Sequence, residues 1–340
     1  MHTQPSQRVR LGILGAASIA RDFVRSVSSS DKITVVAVAS RDKRRAERFA
    51  EEVGLSRYSA SYEDLISDPE IDAVYNPLPN SLHAQWSIRA AQAGKHVLCE
   101  KPFSATADEA RSMVRAAREA GIYLVEAYPY RSQPLTLRMQ EVLVAGEIGS
   151  VGLIQAGFEF PLTNELDIRF NPGLRGGALW DLGCYPVSLV TMIAGGTPSR
   201  VCASADWATT GVDRAVAANL EFASGLVAQV SCSFGVGPHR HAVIMGSKGI
   251  IQTEYLNHTR PKGAQFQIKR CTNWDAPFET VEAPATNGFL AEAESFAEVV
   301  RNGPAQWNGV SNEESISIML TLEAIYTSAQ EGKSVDVGLE

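Results

Sequence analysis

VRLGILGAASIARDFVRSV, residues 9–27, reads as a strand, a tight turn and a helix in one unbroken run. VRLGILG (9–15) is apolar, and SIARDFVRSV (18–27) places Ile19, Phe23 and Val27 at helical spacing. The same alternation continues outward. ITVVAVA (33–39) is a near-continuous β-branched run, and DKRRAERFAEEVG (42–54) is a charged helix closed by Gly54. SYEDLISD (61–68) reads as a short helix, IDAVYNP (71–77) as a strand and SLHAQWSIRAAQAG (81–94) as a helix. KHVLCEK (95–101), ATADEARSMVRAAREAG (105–121) and IYLVEAY (122–128) add strand, helix and strand. Strands that are apolar along their length are buried on both faces, as parallel strands between helices are. The pattern predicts a doubly wound α/β domain over residues 1–127.

Beyond that point the pattern changes. PLTLRMQEVLVAGEIG (134–149) is a helix, and GALWDLGCYPVSLVTMIAG (177–195) reads as a long apolar helix with Pro186 inside it. Strand-like runs follow with little helix between them: SRVCASADWA (199–208), RAVAANLEFA (214–223), GLVAQVSCSFG (225–235), HAVIMGS (241–247), GIIQTEY (249–255) and AQFQIKR (264–270). Strand after strand predicts an open, mostly antiparallel sheet, hence a second, α+β domain over 128–340 with helices at 289–302 and 311–331.

The 340 residues are 45% hydrophobic and 20% charged, enough apolar material for large cores. With 31 Lys and Arg against 38 Asp and Glu, the net charge of −7 speaks against binding a nucleic-acid backbone. No apolar run is read as reaching the ~20 residues that span a bilayer. MHTQPSQRVR (1–10) lacks the apolar core of a secretory signal. Cys99, Cys184, Cys202, Cys232 and Cys271 are scattered, with no C-x-x-C pair. A reduced, cytoplasmic protein without a zinc cluster is expected.

Four places carry chemistry. The first is the turn Gly15-Ala16-Ala17-Ser18-Ile19, between a strand and a helix. A dinucleotide pyrophosphate needs a tight turn there, close backbone N–H groups and the positive end of a helix. Ala17 and Ala20 replace the second and third Gly of the strict fingerprint, so the motif alone also fits an ordinary small-residue turn. The second is Ser40-Arg41 at the end of the second strand. A hydroxyl followed by a guanidinium suits a 2′-phosphate, so NADP is expected ahead of NAD. Asp42 leaves room for NAD, and Lys43, Arg44 and Arg45 also read as a solvated helix face. The third is Glu100-Lys101-Pro102, at the carboxyl end of a parallel strand, where ligands of such sheets bind. Lys101 alone also fits a solvated loop residue. The fourth is Asp181 and Tyr185, four apart and so on one face of a helix. They follow Gly176-Gly177, and as a pair they also fit a structural role.

Together GILGAASIA (12–20), AVASRD (37–42), AVYNPLPNSLH (73–83), GKHVLCEKP (94–102) and GGALWDLGCYP (176–186) resemble the Gfo/Idh/MocA oxidoreductase family, in the family's order and over nearly the whole chain. The last segment is similar to the branch of dimeric dihydrodiol dehydrogenases and NADP-dependent D-xylose dehydrogenases; many other members carry His at the position of Tyr185. Arg131-Ser132-Gln133-Pro134 departs from the Arg-Phe-His-Pro-like run of that branch. The resemblance implies an N-terminal Rossmann domain and an α+β domain whose sheet joins two copies into a dimer or higher oligomer. It implies Lys101, Asp181 and Tyr185 as the catalytic set, and Pro77, Leu78, Asn80, His83 and Glu100 beside the cofactor. Arg169 and Trp180 can line the substrate pocket, Trp180 offering an aromatic face to a sugar ring, though each also fits a structural role, which is the commoner one. His239 and His241 lack a third ligand, so no metal is assigned.

The expected reaction moves a hydride between nicotinamide and a hydroxyl or carbonyl carbon of a sugar, polyol or vicinal diol. Tyr185 exchanges the proton. Lys101 assists, since an ammonium beside a phenol lowers the phenol's pKa. Two other readings stay open. One is a keto-sugar reductase of the same fold, and the other a regulatory protein that binds NADP without turnover.

Overall fold

The computed structural model describes residues 8–255 and 264–338. Residues 1–7, which hold most of the N-terminal segment read for a signal, lie outside them, as do the last two residues of the 128–340 domain. The chain forms two compact units, Met1–Gln133 with Thr286–Asn312, and Pro134–Ala285 with Glu313–Glu340.

In the first unit β1 (Val9–Leu14), α1 (Ser18–Val27), β2 (Ile33–Ala39), α2 (Lys43–Val53), β3 (Tyr58–Ser59) and α3 (Tyr62–Ser67) form one half. The other half is β4 (Ala73–Asn76), α4 (His83–Gln92), β5 (His96–Glu100), α5 (Ala107–Ala120) and β6 (Leu124–Ala127). The six strands are parallel and ordered β3-β2-β1-β4-β5-β6, the doubly wound Rossmann arrangement, with its switch point between β1 and β4. Helix starts are set locally. Asp42 accepts from the backbone of Arg44 and Arg45, Ser61 from Asp64, and Thr106 from Glu109. Leu11, Ile13, Val38, Tyr75 and Leu98 belong to one buried cluster under Phe23 of α1. Phe23 stacks on Tyr75 at 4.1 Å and meets Phe289 edge-on at 5.9 Å.

Phe289 lies on a helix far along the chain. The second unit begins with α6 (Pro134–Val144), β7 (Val151–Glu159), α7 (Cys184–Ala194), β8 (Arg200–Trp207), β9 (Asp213–Glu221) and β10 (Val227–Ser233). It continues through β11 (His239–Gly246), β12 (Ile250–Thr253), β13 (Gln265–Lys269) and β14 (Glu279–Glu282). The chain then returns to the first unit as α8 (Gly288–Asn302) before α9 (Asn312–Glu331) and β15 (Val335–Asp336) complete the second. The grouping therefore differs from a single cut after residue 127. Phe289, Ala293, Phe296 and Ala297 of α8 are buried in the Rossmann core. Each such buried Phe stabilises by roughly 1.5–3 kcal/mol, an attraction that sequence distance does not diminish.

The nine-stranded sheet of the second unit runs β14-β13-β12-β11-β7-β10-β9-β8-β15. Among the described residues only β7 and β10 pair parallel in this sheet; every other neighbour is antiparallel. β7 escaped the sequence reading because Gly152 and Gly157 break its alternation. Val216, Ala218 and Leu220 of β9 and Ala228, Val230 and Cys232 of β10 line the buried face. The stretch read as one helix over 177–195 is not uniform. Leu179–Gly183 is a π-helical turn, and α7 begins only at Cys184. The change of ladder brings Pro186 into the first turn of α7, where its missing N–H is tolerated.

One sequence expectation is corrected. Pro172–Ala194 is long and apolar enough, by length and composition, to cross a membrane, with a mean hydropathy of 1.3 in its most apolar window. In the structure 78% of that window is buried inside the fold, as the core helix of a globular unit would be. Cys99, Cys184 and Cys232 are buried, Cys202 and Cys271 exposed, and no disulfide joins them.

Glu292, on α8, is fully buried, and neither of its oxygens has a hydrogen-bond partner among the described residues. Burial, then the nearby Glu100 and Glu126, push its carboxyl well above the usual range. A folded pKa raised above the unfolded value of about 4.3 gives stability that is complete below that pH and is lost as pH climbs toward the folded value. Glu292→Gln should therefore melt higher than the parent near neutral pH, by roughly 2–4 °C for each kcal/mol recovered. The gap should close near the unfolded glutamate pKa. Melting curves across that pH range check it, and a gap independent of pH contradicts it.

Candidate active site

In the first unit the polar groups gather where the strands end. Gly15 closes β1 with φ +98°, and a Cβ there would stand 2.8 Å from Leu78 Cδ2. Only glycine meets both conditions. Its N–H donates to Ala39 O at 2.7 Å, tying the turn to the end of β2. Ala16, Ala17 and Ile19 are half-buried and Ser18 is exposed. Ala17 is the N-cap of α1, and no side chain caps that helix. An uncapped first turn beside a glycine cradle fits a pyrophosphate, which would supply the missing acceptors.

At the end of β2, Ser40 is buried and Arg41 exposed. Ser40 Oγ accepts from Asp42 N at 3.3 Å. Asp42 Oδ1 accepts from Arg44 N at 2.9 Å and Arg45 N at 3.3 Å, so this carboxylate caps α2. Its charge is thus committed to the helix, and the hydroxyl and guanidinium remain as groups for a ribose phosphate.

After β4, Pro77 and Leu78 are buried and Asn80 opens a single 3₁₀ turn. Asn76 shapes this loop. Its Nδ2 donates to His83 O at 3.2 Å and Ser87 Oγ at 3.1 Å, and its Oδ1 accepts from Leu78 N at 3.4 Å. The sequence reading missed Asn76, although an Asn inside the apolar run IDAVYNP was the available signal.

His83 does not line a cofactor surface as expected. It is fully buried, with Nε2 at 2.7 Å from Leu78 O and Nδ1 at 2.8 Å from Pro102 O. Burial pushes its pKa down to about 4, so the ring is neutral at ordinary pH and donates to one of the two carbonyls. His83 is a staple between the loop after β4 and the loop after β5. Glu100, at the end of β5, accepts from Tyr75 Oη at 2.6 Å and from Lys101 N at 3.3 Å. Lys101 follows it, half-buried, joined to Pro102 by a cis peptide.

In the second unit Asp181 lies in the π-helical turn and Tyr185 in the first turn of α7. The i, i+4 argument assumed an uninterrupted α-helix, so it does not carry across this change of ladder. Asp181 Oδ2 accepts from Arg169 Nε at 2.8 Å. Asp167 Oδ1 accepts from Arg169 N at 2.9 Å and Arg169 Nη1 at 3.2 Å. Asp181 first, then Asp167 against burial, raise the Arg169 pKa, keeping the guanidinium charged. Tyr185 is 4% exposed, its ring edge-on to Phe158 at 5.3 Å. Trp180 takes the structural alternative rather than the pocket one. It is 1% exposed, with the Arg175 guanidinium 4.0 Å above its ring, so that face is already covered. Among the described residues no group of His, Cys, Asp and Glu is assembled for a metal, and His239 and His241 stack at 4.8 Å.

Comparison with known proteins matches residues 9–128 to an oxidoreductase family with an NAD-binding Rossmann fold, GFO/IDH/MocA. Residues 136–252 match the GFO/IDH/MocA C-terminal domain. The chain is 39% identical to D-xylose 1-dehydrogenase (NADP(+)) 2 of Haloferax volcanii, over 96% of this chain and 99% of that protein. It is 37% identical to trans-1,2-dihydrobenzene-1,2-diol dehydrogenase of Mus musculus, over 73% of this chain and 75% of that protein. Among solved structures, a 3-ketoreductase from Actinomadura kijaniata in complex with NADP and TDP-benzene is similar with a TM-score of 0.86 and 29% identity. That match covers 95% of this chain and 98% of the other.

His83→Leu should cost stability, since removing the staple leaves a buried carbonyl unsatisfied at about 1–3 kcal/mol. The sign with pH is opposite to that of Glu292. A histidine pKa lowered to about 4 gives stability present above the unfolded value of about 6.5 and lost as pH falls through that interval. The parent's advantage over the variant should shrink by about 3 kcal/mol between those limits. Denaturant unfolding at several pH values measures it.

Proposed function

The chain belongs to the GFO/IDH/MocA oxidoreductase family, and from that premise we propose that it is an NADP-dependent dehydrogenase of a sugar, polyol or vicinal diol. The carrying observation is that Gly15, Ser40-Arg41 and Lys101 stand at the carboxyl ends of β1, β2 and β5, around the switch point where doubly wound sheets bind nucleotides. The Haloferax volcanii relative, named for NADP(+), supports the choice of cofactor. So does the commitment of Asp42 to α2, which leaves Ser40 and Arg41 for a 2′-phosphate. In this reading the first unit holds the cofactor. Backbone amides of Gly15–Ile19 take the pyrophosphate, and Pro77, Leu78 and Asn80 flank it. Glu100 and His83 act behind them as supports.

NADP(H), once held by these groups, would supply the hydride chemistry. The chain itself handles the proton and the charge. Tyr185 Oη gives a proton to the substrate oxygen in reduction and takes it in oxidation, a role worth ~10²–10⁴-fold in rate. The Lys101 ammonium assists by stabilising the negative charge that develops in the reaction. Asp181, oriented by Arg169, accepts from a neighbouring substrate hydroxyl, and Arg169 donates to another. Paired hydroxyls beside the reacting carbon suit this donor and acceptor set, which a sugar or vicinal diol supplies.

The 3-ketoreductase similarity favours a second reading, reduction of a keto-sugar with the same residues. We also place the protein in the cytoplasm and assign it a homodimer built on the nine-stranded sheet. The face opposite α7 carries Leu153, Gln155, Val227 and Gln229, with Gln155 Nε2 donating to Gln229 Oε1 at 2.8 Å.

A panel of aldoses, polyols, diols and keto-sugars with NADP(H) and NAD(H) in parallel tests the reading. Tyr185→Phe should lower turnover at least ~100-fold while NADPH binding survives. Undiminished turnover in that variant would remove Tyr185 from the mechanism. Arg41→Ala should raise the KM for NADP⁺ roughly tenfold or more, the worth of one charged hydrogen bond, and leave the KM for NAD⁺ in place. Equal effects on both cofactors would refute the 2′-phosphate assignment.

A further inference from the structure

The segment bearing Asp181 and Tyr185 starts without a cap of its own. Its first residues are Gly177, Ala178 and Leu179, none with an acceptor side chain. The acceptor comes from β9. Asp213, the first residue of that strand, is fully buried, and its Oδ2 accepts from Leu179 N at 2.6 Å across 34 residues of chain. The Ala178 amide and the amide of Asp213 itself also favour the ionised carboxylate.

The backbone is shaped to admit this group. Gly177 has φ +119°, and a Cβ there would stand 2.2 Å from Asp213 Oδ1. Gly177 O accepts from Asp181 N at 3.1 Å, and Gly177 N donates to Arg169 O at 2.8 Å. The residue against which Asp213 packs thus holds the backbone of both partners of the Arg169–Asp181 pair. A π-helical turn follows at once, and such turns are inserted at a cost that surrounding contacts must offset.

Resting on the reading of the site given above, we propose that Asp213 is a positioning residue of the oxidoreductase reaction, its carboxylate fixing the entry of the π-helical turn and through it the placement of Asp181 and Tyr185. Asp213 touches neither substrate nor cofactor in this role. It acts through the backbone at 177–179. Burial pushes its carboxyl up to about 6, against the amides and the Arg175 guanidinium, which hold it down. The Cys232 thiol of β10 also faces it, with Glu159 of β7 next to that thiol in turn. Burial remains the leading effect on Asp213, opposed in part by the amides and Arg175. The sign follows. The carboxylate holds the turn above about pH 6, and protonation on descending through that value slackens it.

The test uses the full chain with Asp213→Asn, Asp213→Ala and Tyr185→Phe. Hydrogen exchange of amides 178–185 reads the turn directly, without any substrate. Protection there should fall roughly tenfold in Asp213→Ala, in line with the loss of a helix cap, and less in Asp213→Asn, whose amide oxygen still accepts. In the parent it should fall as pH drops through about 6, and in Asp213→Asn it should not respond to that pH step. With the best substrate of the panel, kcat in Asp213→Ala should drop roughly tenfold with the KM for NADP⁺ unchanged. The acid limb of the parent's kcat profile should vanish in the same variant. Unchanged protection at 178–185 overturns the proposal, and so does an unchanged kcat profile in a variant whose Tyr185→Phe counterpart is inactive. Full turnover by Tyr185→Phe strikes the functional reading alone, because the exchange result does not depend on it.

Discussion

Burial of β1, β4 and β5 on both faces is the constraint from which the first unit follows. Residues such as Leu11, Ile13, Val74 and Leu98 are fully enclosed, so polar chemistry has no place along these strands. It is displaced to their ends. Gly15, Ser40, Glu100 and Lys101 all sit within a residue or so of a strand terminus. The loops there must then be held without a core of their own. Asn76 and His83 meet that need by bonding to loop carbonyls and amides, as the side chains of small buried polar residues do where backbone groups lack partners.

The second unit solves a different problem. One face of a broad, mostly antiparallel sheet must be covered, and α7 lies against β7 and β10 to do so. A helix that is apolar on all sides leaves few positions for polar groups. Asp181 and Tyr185 therefore cluster at its leading end, where the ladder is π-helical and the loop with Arg169 comes close. The same crowding explains Trp180. A ring with Arg175 on one face and Tyr326 nearby is a wall of the fold rather than a platform for a sugar.

Buried ionisable groups pull the pH dependence of the first unit in two directions. His83 resists charging as pH falls, and Glu292 resists it as pH rises. Both shifts have the same leading cause, loss of water, acting on groups of opposite charge. The two together favour the fold between the acid and alkaline extremes. A buried acid with no hydrogen-bonding partner among the described residues is an expensive feature for a core helix to keep, and Glu292 lies on the helix that returns from the far end of the sequence to close the Rossmann core.

Much of this was legible along the chain. Runs of period two, runs of helical period and their alternation are local properties, and they yielded the doubly wound sheet, the open second sheet and the strand-end position of Lys101. The family-like segments pointed to the family that the comparisons show. Other features were settled only in three dimensions. The membership of α8 in the first unit, the cap that Asp213 lends to Leu179 from 34 residues away, and the enclosure of His83 and Trp180 all depend on which surfaces meet. A residue's spacing from its neighbours carries the geometry of its own helix or strand. Its burial and its hydrogen-bond partner are set by whatever distant segment packs against it, and no local pattern encodes that.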